Sequence, residues 1–422
     1  MKHNFYSKGS VIAALDVGTT KVSCFIARII DDEGHFEIVG VGHQASAGFR
    51  AGTVVDLEAA ETAIRETVHA AENMAAETMK GYPLREVIIN VPGIHAHSHH
   101  FSADIEILGH EVTEQDVLRT LARAQDQNLS TDRDLIHTIP IGYTIDGQHG
   151  VRDPRGLFGQ QMKVDIHLVT GDSGALRNIA TCIERSHLDI ASMCVSPYAA
   201  GLSSLVEDEM DLGCTVIDMG GGVTSLAVFQ GGKLIYTDAI PVGGHHVTND
   251  IARGLTTSIP QAERLKTLYG SAIASGNDQN ELIDVPQVGE DERAQPNHVP
   301  RSLLIGIIQP RVEEIFELVR ARLDDSGLRD AAGRRVVLTG GASQLPGLRD
   351  LGQMVLDKQV RLGRPIHIGG LPESVSGPAF ATTAGLLTYI TERAEEMPRQ
   401  VVVQSEPESL WDRVRLWMRE NW

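Results

Sequence analysis

The feature that most constrains this chain is a short supersecondary unit that occurs twice. Residues 11–26 (VIAALDVGTTKVSCFI) hold an apolar run that ends at Asp16, a turn containing glycine, and a second apolar run. Residues 214–229 (CTVIDMGGGVTSLAVF) repeat this order around Asp218. Each copy predicts a strand, a tight turn and a second strand. Two copies of one unit predict two related domains that face each other across a ligand cleft.

The two turns contain the groups that bind a polyphosphate together with a divalent metal. Glycine lets backbone N–H groups touch phosphate oxygens because no Cβ stands between them. Threonine hydroxyls and a lysine ammonium add donors, and two carboxylates at strand ends suit the water shell of Mg²⁺. The candidate ligands are Asp16, Gly18, Thr19, Thr20, Lys21, Asp218, Gly220, Gly221, Gly222 and Thr224, with Asp16 and Asp218 facing Mg²⁺ through water.

A third glycine turn, at Gly340, Gly341 and Ala342, follows a predicted strand at 335–339. A single Asp-x-Gly turn is typical of an ordinary hairpin, but two copies in matched strand contexts and a further Gly-Gly turn favour one shared site. The sequence contains no G-x-x-x-x-G-K-[ST] and no G-x-G-x-x-G with a downstream acid. These absences exclude a P-loop and a Rossmann site.

Composition narrows the class of protein further. A length of 422 residues predicts two or more domains, and 42% hydrophobic with 22% charged residues is typical of a globular chain. The net charge of −19 argues against nucleic-acid binding, which needs a basic surface. Four widely spaced cysteines are expected to be buried in a reducing cytosol. No signal peptide is evident at 1–10, and no run of ~18 apolar residues occurs, so we expect a cytoplasmic protein.

The last residues, 409–422 (SLWDRVRLWMRENW), have the period of an amphipathic helix and contain all 3 tryptophans of the chain. Tryptophan prefers the bilayer interface, and arginine reaches anionic headgroups. The predicted membrane contacts are the apolar residues Leu410, Trp411, Val414, Trp417, Met418 and Trp422 and the basic residues Arg413, Arg415 and Arg419. The alternative is a helix that docks on the protein's own core.

These motifs resemble those of the actin, Hsp70 and sugar-kinase ATPase superfamily. The first turn is similar to its phosphate-1 motif, 217–224 to its phosphate-2 motif, and 336–348 (VVLTGGASQLPGL) to its adenosine motif. Four further stretches resemble the bacterial actin-like cell-division family FtsA and not its relatives: 48–57 (GFRAGTVVDL), 137–143 (HTIPIGY), 153–159 (DPRGLFG) and 261–266 (QAERLK). Within the last of these, Glu263 and Lys266 match the pair that approaches the adenosine ribose and base.

The resemblance implies an α/β, actin-like two-domain ATPase fold with an inserted 1C subdomain and a C-terminal amphipathic helix. The implied subdomains are 1–83 (1A, first part), 84–165 (inserted 1C), 166–212 (1A, with the first connecting helix), 213–243 (2A), 244–325 (2B), 326–378 (2A), 379–396 (second connecting helix), 397–407 (linker) and 408–422 (membrane helix).

The resemblance also implies a function. ATP and Mg²⁺ would occupy the cleft, and the protein would anchor FtsZ filaments to the inner face of the cytoplasmic membrane, self-assemble into protofilaments and recruit later division proteins. Subdomain 2B would dock the C-terminal peptide of FtsZ, with Arg301 and Arg311 as contacts. At the place where actins and Hsp70 chaperones carry a water-positioning Gln or Glu stands Ser196. Because a hydroxyl is a poor base, we expect at most a slow ATPase whose nucleotide acts as a conformational ligand.

Two other functions of the same fold stay open at this point: a PilM-like scaffold and a sugar-kinase-type phosphotransferase. A histidine cluster at 95–100 is also open to two interpretations. It is either a metal site or, with no cysteine or paired acid nearby, a solvated edge of the inserted subdomain.

Overall fold

The computed structural model describes residues 7–125, 132–289, 297–393 and 396. The linker predicted at 397–407 and the membrane helix predicted at 408–422 lie outside these residues.

Strands and helices are interspersed along the chain. In order, the strands are β1 (Val11–Val17), β2 (Lys21–Ile29), β3 (Phe36–Ala45), β4 (Phe49–Arg50), β5 (Thr53–Val54), β6 (Glu86–Val91), β7 (Ala96–Glu106), β8 (Arg133–Ile145), β9 (Gln148–Val151), β10 (Gln161–Asp172), β11 (Asp189–Val195), β12 (Cys214–Met219), β13 (Thr224–Gln230), β14 (Lys233–Ile240), β15 (Leu282–Val285), β16 (Asn297–Pro300), β17 (Arg335–Thr339) and β18 (Gln359–Leu362). The helices are α1 (Leu57–Met74), α2 (Ala76–Met79), α3 (Glu114–Gln125), α4 (Ser173–Arg185), α5 (Ser196–Ser204), α6 (Glu207–Leu212), α7 (Gly244–Gly254), α8 (Ile259–Tyr269), α9 (Arg301–Asp325), α10 (Leu348–Leu356) and α11 (Ala381–Glu392). None of the helices within the described ranges is long and apolar enough to cross a bilayer.

Two five-stranded sheets have the same topology. The first has the order β11-β6-β1-β2-β3, and the second has the matching order β18-β17-β12-β13-β14. In each, the strand before the glycine turn pairs antiparallel with the next strand and parallel with a later one. Asp16 lies opposite Ser23, and Asp218 lies opposite Ser225. The predicted α/β fold with two related domains is therefore confirmed.

The inserted sheet is antiparallel, with the order β7-β10-β8-β9. It extends from Ala96 to Asp172, so the bounds predicted at 84 and 165 do not match it. The strand β6 pairs with β1 and β11 and belongs to the first sheet, while β10 continues seven residues past 165 as one strand. The sequence could not reveal this boundary, because β6 and β7 are both strands and only long-range pairing separates them.

Two helices cross between the five-stranded sheets. Every residue of α5 is buried, and so are Ala381 to Ile390 of α11. Their contact is close: a Cβ built on Gly385 would lie 1.6 Å from the carbonyl oxygen of Ala199. The hydrophobic core around these helices contains residues of both sheets, including Phe25 and Phe229. The helices therefore connect the two domains through a shared core.

The long helix α9 continues through Pro310 without the break that proline predicts. Its buried residues lie on both sides of that proline, among them Ile305, Ile308, Val312 and Ile315. Packing of this apolar face outweighs the hydrogen bond that proline removes. Before α9, the strands β15 and β16 pair antiparallel.

The histidine cluster lies where the inserted sheet docks on β14. Ser98 Oγ donates to the carbonyl oxygen of Thr237 at 2.9 Å, and His100 Nε2 donates to that of Ile235 at 2.7 Å. Within the described part of the chain, no group of three or more His, Cys, Asp or Glu residues is placed to hold a metal ion. Ser98 and His100 thus satisfy carbonyl groups at the edge of β14, which the inserted sheet covers.

Two buried histidines predict a loss of stability in mild acid. Burial lowers the pKa of both His137 and His167 to about 3. Below pH 6.5 the unfolded chain takes up protons at these rings and the folded chain does not, so stability falls as the pH drops from 6.5 towards 3. From pH 7 to pH 5 each ring is expected to remove about 2 kcal/mol from the free energy of unfolding.

Urea unfolding of wild type, His137→Gln and His69→Gln at pH 7 and pH 5 measures this loss. The loss should be about 2 kcal/mol smaller in His137→Gln and unchanged in His69→Gln, whose side chain is 73% exposed. Equal losses in all three proteins would contradict the assignment.

Candidate functional site

Three glycine turns meet around one open cleft between the two five-stranded sheets. The cavity in this cleft has a volume of about 190 Å³ and is open to solvent. Its walls contain the predicted residues Asp16, Gly18, Thr19, Thr20, Lys21, Ser196, Asp218, Gly220, Gly221, Gly222, Gly340 and Gly341, together with Asn90 and Thr382. The structure thus brings most of the predicted site residues together.

The first two turns have the same internal geometry. In the first, Gly18 N donates to Lys21 O at 2.9 Å, and in the second Gly220 N donates to Val223 O at 2.9 Å. Each turn is therefore closed by one hydrogen bond between its own two strands, and its residues line the cleft. This matched geometry follows from the repeated Asp-x-Gly sequence.

The two turns also touch each other across the cleft. A Cβ on Gly221 would lie 2.4 Å from Thr20 Cγ2, and one on Gly222 would lie 2.9 Å from Thr19 Oγ1. Only glycine permits this approach, because any larger residue would push the two turns apart. The domains are consequently held close at the place where a phosphate chain would bind both turns.

The two carboxylates of the site have different environments. Lys21 Nζ lies 3.2 Å from Asp16 Oδ2 and also donates to Ser23 Oγ at 2.8 Å. No cation among the described residues forms an ion pair with Asp218, and its pKa is raised to about 6 by burial first and then by the negative charge of Asp16. A buried carboxylate whose ionisation a neighbouring carboxylate disfavours fits a divalent cation, which would relieve the repulsion.

The third turn packs closely against the side chain of Asp218. Gly340 has a φ of +83°, and a Cβ there would lie 2.3 Å from Asp218 Oδ1. Gly340 N donates to Pro378 O at 3.1 Å, which ties the turn to the segment just before α11. A side chain at this position would both strain the backbone and displace the carboxylate.

Four predicted ligands lie outside the cleft walls. The buried Thr224 donates its hydroxyl to Val242 O at 2.8 Å, and Ala342 adjoins Gly244 instead of the cleft. On α8, Lys266 Nζ lies 2.7 Å from Glu263 Oε2 and donates to Gly244 O at 3.2 Å. Glu263 and Lys266 therefore sit together beside the start of α7, next to the third turn.

Ser196 faces the cleft, but its hydroxyl is occupied. Its Oγ donates to Val91 O at 3.1 Å and accepts from Asn90 Nδ2 at 3.1 Å. Asn90 Oδ1 in turn accepts from Val17 N at 2.7 Å, which locks the amide against the first turn. The Ser196 proton is committed to a carbonyl and one lone pair to Asn90, and a hydroxyl is in any case a poor base. Slow hydrolysis stays a prediction.

Asn90, Thr382 and Thr383 are polar groups of the site that the sequence analysis missed. Asn90 ends an apolar strand, and the threonines begin an apolar helix. The sequence signal that could have indicated these residues is a polar side chain near the end of an otherwise apolar strand or helix. Nothing local showed which element they would approach.

The predicted partner contacts Arg301 and Arg311 already have carboxylate partners. Arg301 Nη1 lies 3.0 Å from Asp278 Oδ1, and Arg311 Nε lies 2.6 Å from Asp250 Oδ2. Their side chains are about one quarter exposed. An acidic peptide would have to share these guanidinium groups with the protein's own acids.

Comparison with known sequences gives a consistent result. The family profile described as "Cell division protein FtsA" matches residues 215–385, and the profile described as "SHS2 domain inserted in FTSA" matches residues 93–170. The cell division protein FtsA of Rhizobium meliloti is 45% identical over 391 residues, covering 90% of this chain and 87% of that protein. The cell division protein FtsA of Pseudomonas aeruginosa is 34% identical, and the match covers 98% of each chain. That of Escherichia coli is 33% identical, and the match covers 90% of each chain.

Solved structures with the same fold are more distant in sequence. A PilM–PilN type IV pilus biogenesis complex has a TM-score of 0.64 at 16% identity, covering 90% of this chain and 98% of the matched chain. MreB5 of Spiroplasma citri, bound to ADP, has a TM-score of 0.51 at 14% identity, covering 90% and 95%. At these identities the likeness shows the actin-like fold alone.

Proposed function

The chain belongs to the FtsA family of cell division proteins, and from that premise we propose that it is an ATP-dependent tether between FtsZ filaments and the cytoplasmic membrane. The observation that carries the nucleotide part is the pair of matched turns, Gly18–Lys21 and Gly220–Val223, that close one cleft from two domains. The membrane part rests on the amphipathic sequence of 408–422.

In this proposal the phosphate chain of ATP lies between the two turns. Their backbone N–H groups would donate to phosphate oxygens. Lys21, which pairs with Asp16, would also offset the negative charge of the phosphates. Asp16 and Asp218 hold the metal through its water shell; Mg²⁺, when bound, offsets the negative charge of the phosphates and of both acids. The solved MreB5 structure with ADP supports a nucleotide in a cleft of this fold.

Nucleotide is proposed to act on conformation more than on chemistry. Both turns would contact one ligand, so occupancy would favour the closed arrangement of the two domains. The locked hydroxyl of Ser196 supplies no base for the attacking water. We therefore propose a slow ATPase whose bound ATP favours self-association into protofilaments.

The tether has two further parts. Residues 244–325 would dock the C-terminal peptide of FtsZ, where Arg301 and Arg311 remain proposed contacts despite their internal partners. The tryptophans and arginines of 408–422 would attach the protein to the anionic inner face of the membrane, reversibly, with avidity from self-assembly. Later division proteins would then be recruited to this site.

Sedimentation of FtsZ with anionic vesicles tests the proposal. With ATP and Mg²⁺, the intact chain should pellet with vesicles containing phosphatidylglycerol and carry FtsZ with it. Trp417→Asp should leave both proteins in the supernatant, because a charge replaces an interfacial anchor. Leu416→Asp is the matched control, because the helical period of the sequence predicts that Leu416 falls off the apolar stripe, and this variant should still pellet.

Each failure has a distinct meaning. If Trp417→Asp pellets as the wild type does, the terminal segment is not the anchor. If the intact chain pellets and FtsZ stays in the supernatant, a scaffold with another partner, of which the PilM–PilN likeness is one example, becomes the better proposal.

A further inference from the structure

Two consecutive threonines at the start of α11 touch the two acids of the cleft. Thr382 Oγ1 donates to Asp218 Oδ2 at 3.3 Å, and Thr383 Oγ1 donates to Asp16 Oδ2 at 3.2 Å. The acids come from different sheets, β12 and β1, and are far apart in sequence. A single turn of helix is thus a shared partner of both.

Thr383 also completes a ring of hydrogen bonds in the first turn. Lys21 Nζ donates to Ser23 Oγ at 2.8 Å, and Ser23 Oγ lies 2.7 Å from Thr383 Oγ1. Thr383 Oγ1 donates a hydrogen bond to Asp16, which also accepts from Lys21 directly at 3.2 Å. Because each hydroxyl both donates and accepts, removing one of them takes one hydrogen bond from each of two neighbours.

The segment before α11 contributes to the same arrangement. The Lys21 ammonium lies 4.6 Å from the centre of the Phe380 ring, a distance at which the ring face attracts a cation. Phe380, Thr382 and Thr383 therefore contact all three charged groups of the two turns.

The helix that carries these threonines is held firmly. Thr383 is fully buried, Thr382 is 7% exposed, and the next turn packs Gly385 against α5. A rigid helix can set the separation of two carboxylates that would otherwise repel each other.

We propose that Thr382 and Thr383 are positioning residues, which hold Asp218 and Asp16 at the separation that a divalent cation with its nucleotide requires. This inference rests on the proposed nucleotide site and adds to it the element that sets its geometry. The threonines act through the two acids, so their effect should appear only when the metal is present.

Titration of ATP into the full chain, with Mg²⁺ and with EDTA, tests this inference. With Mg²⁺ the double variant Thr382→Val, Thr383→Val should bind ATP about 10-fold more weakly, because valine keeps the shape of threonine and cannot donate to a carboxylate. With EDTA the affinity should stay within about 2-fold of wild type, since the metal-dependent part is already absent.

Three further variants make the test specific. The single variant Thr383→Ser keeps the hydroxyl donor and should retain most of the wild-type affinity for Mg-ATP. Thr391→Val is the matched control, because its hydroxyl donates to Leu387 O of the same helix and is remote from the cleft. If the double variant does not fold, as judged by thermal melting without nucleotide, Thr382→Val alone carries the test.

The outcomes separate this inference from the proposed function. Equal weakening with and without Mg²⁺, or no weakening at all, overturns the positioning role. If the wild type itself binds no Mg-ATP, the proposed function fails at its first step, and the inference fails with it.

Discussion

Alanine in place of Gly385 is expected to destabilise the protein by about 4 kcal/mol or more, an effect reached only by severe core changes. The added Cβ would lie 1.6 Å from the carbonyl oxygen of Ala199, far inside contact distance. Neither side can yield easily, because Ala199 is a backbone contact in a helix whose every residue is buried. The two connecting helices would have to separate, and the core shared by both sheets would separate with them.

Gly306→Ala is the matched control for this change. Gly306 also lies inside a helix, α9, but a Cβ there meets nothing within 4 Å. Alanine should therefore stabilise the protein by up to about 1 kcal/mol through its higher helix propensity. Urea unfolding of both variants measures the difference, and two similar free energies of unfolding would contradict the close helix crossing.

Asn in place of Asp16 or Asp218 is expected to weaken binding of Mg-ATP by at least about 10-fold and up to 100-fold. Each substitution removes one of the two charges that would hold the metal's water shell. Asp16→Asn also leaves Lys21 without the carboxylate that lies 3.2 Å from it, so ATP binding without metal should be less affected. Calorimetric titration of the full chain with ATP, in Mg²⁺ and in EDTA, measures both constants.

The control is Asp189→Asn, an exposed aspartate at the start of β11, the end of that strand remote from Ser196. It should bind Mg-ATP like the wild type. Wild-type affinity in both Asp16→Asn and Asp218→Asn would show that the cleft acids do not hold a metal with the nucleotide.

The two domains were predictable from sequence because their signature is local. An apolar run, Asp16 and a glycine turn recur around Asp218, and each part depends only on its neighbours in the chain. The same locality explains why the turn glycines appear in the cleft walls as expected. Turn chemistry alone therefore predicted which residues would line the cleft.

Features that depend on long-range pairing were not predictable in this way. The apolar strand β6 reads equally well as part of the inserted sheet, and only its pairing with β1 assigns it to the first. Asn90 and Thr383 reach the first turn from positions 73 and 360 residues away from their partners Val17 and Ser23. His100 illustrates the same point, because its partner is the Ile235 carbonyl on β14, 135 residues away.

The most direct test of the central claim, that both repeated turns enclose one nucleotide, is hydrogen–deuterium exchange of the full chain with and without Mg-ATP. Amide exchange should slow together in the peptides that contain Gly18–Lys21, Gly220–Val223 and Gly340–Gly341, and it should not change in β9 of the inserted sheet. Protection of one turn alone, or of none, would contradict a shared site.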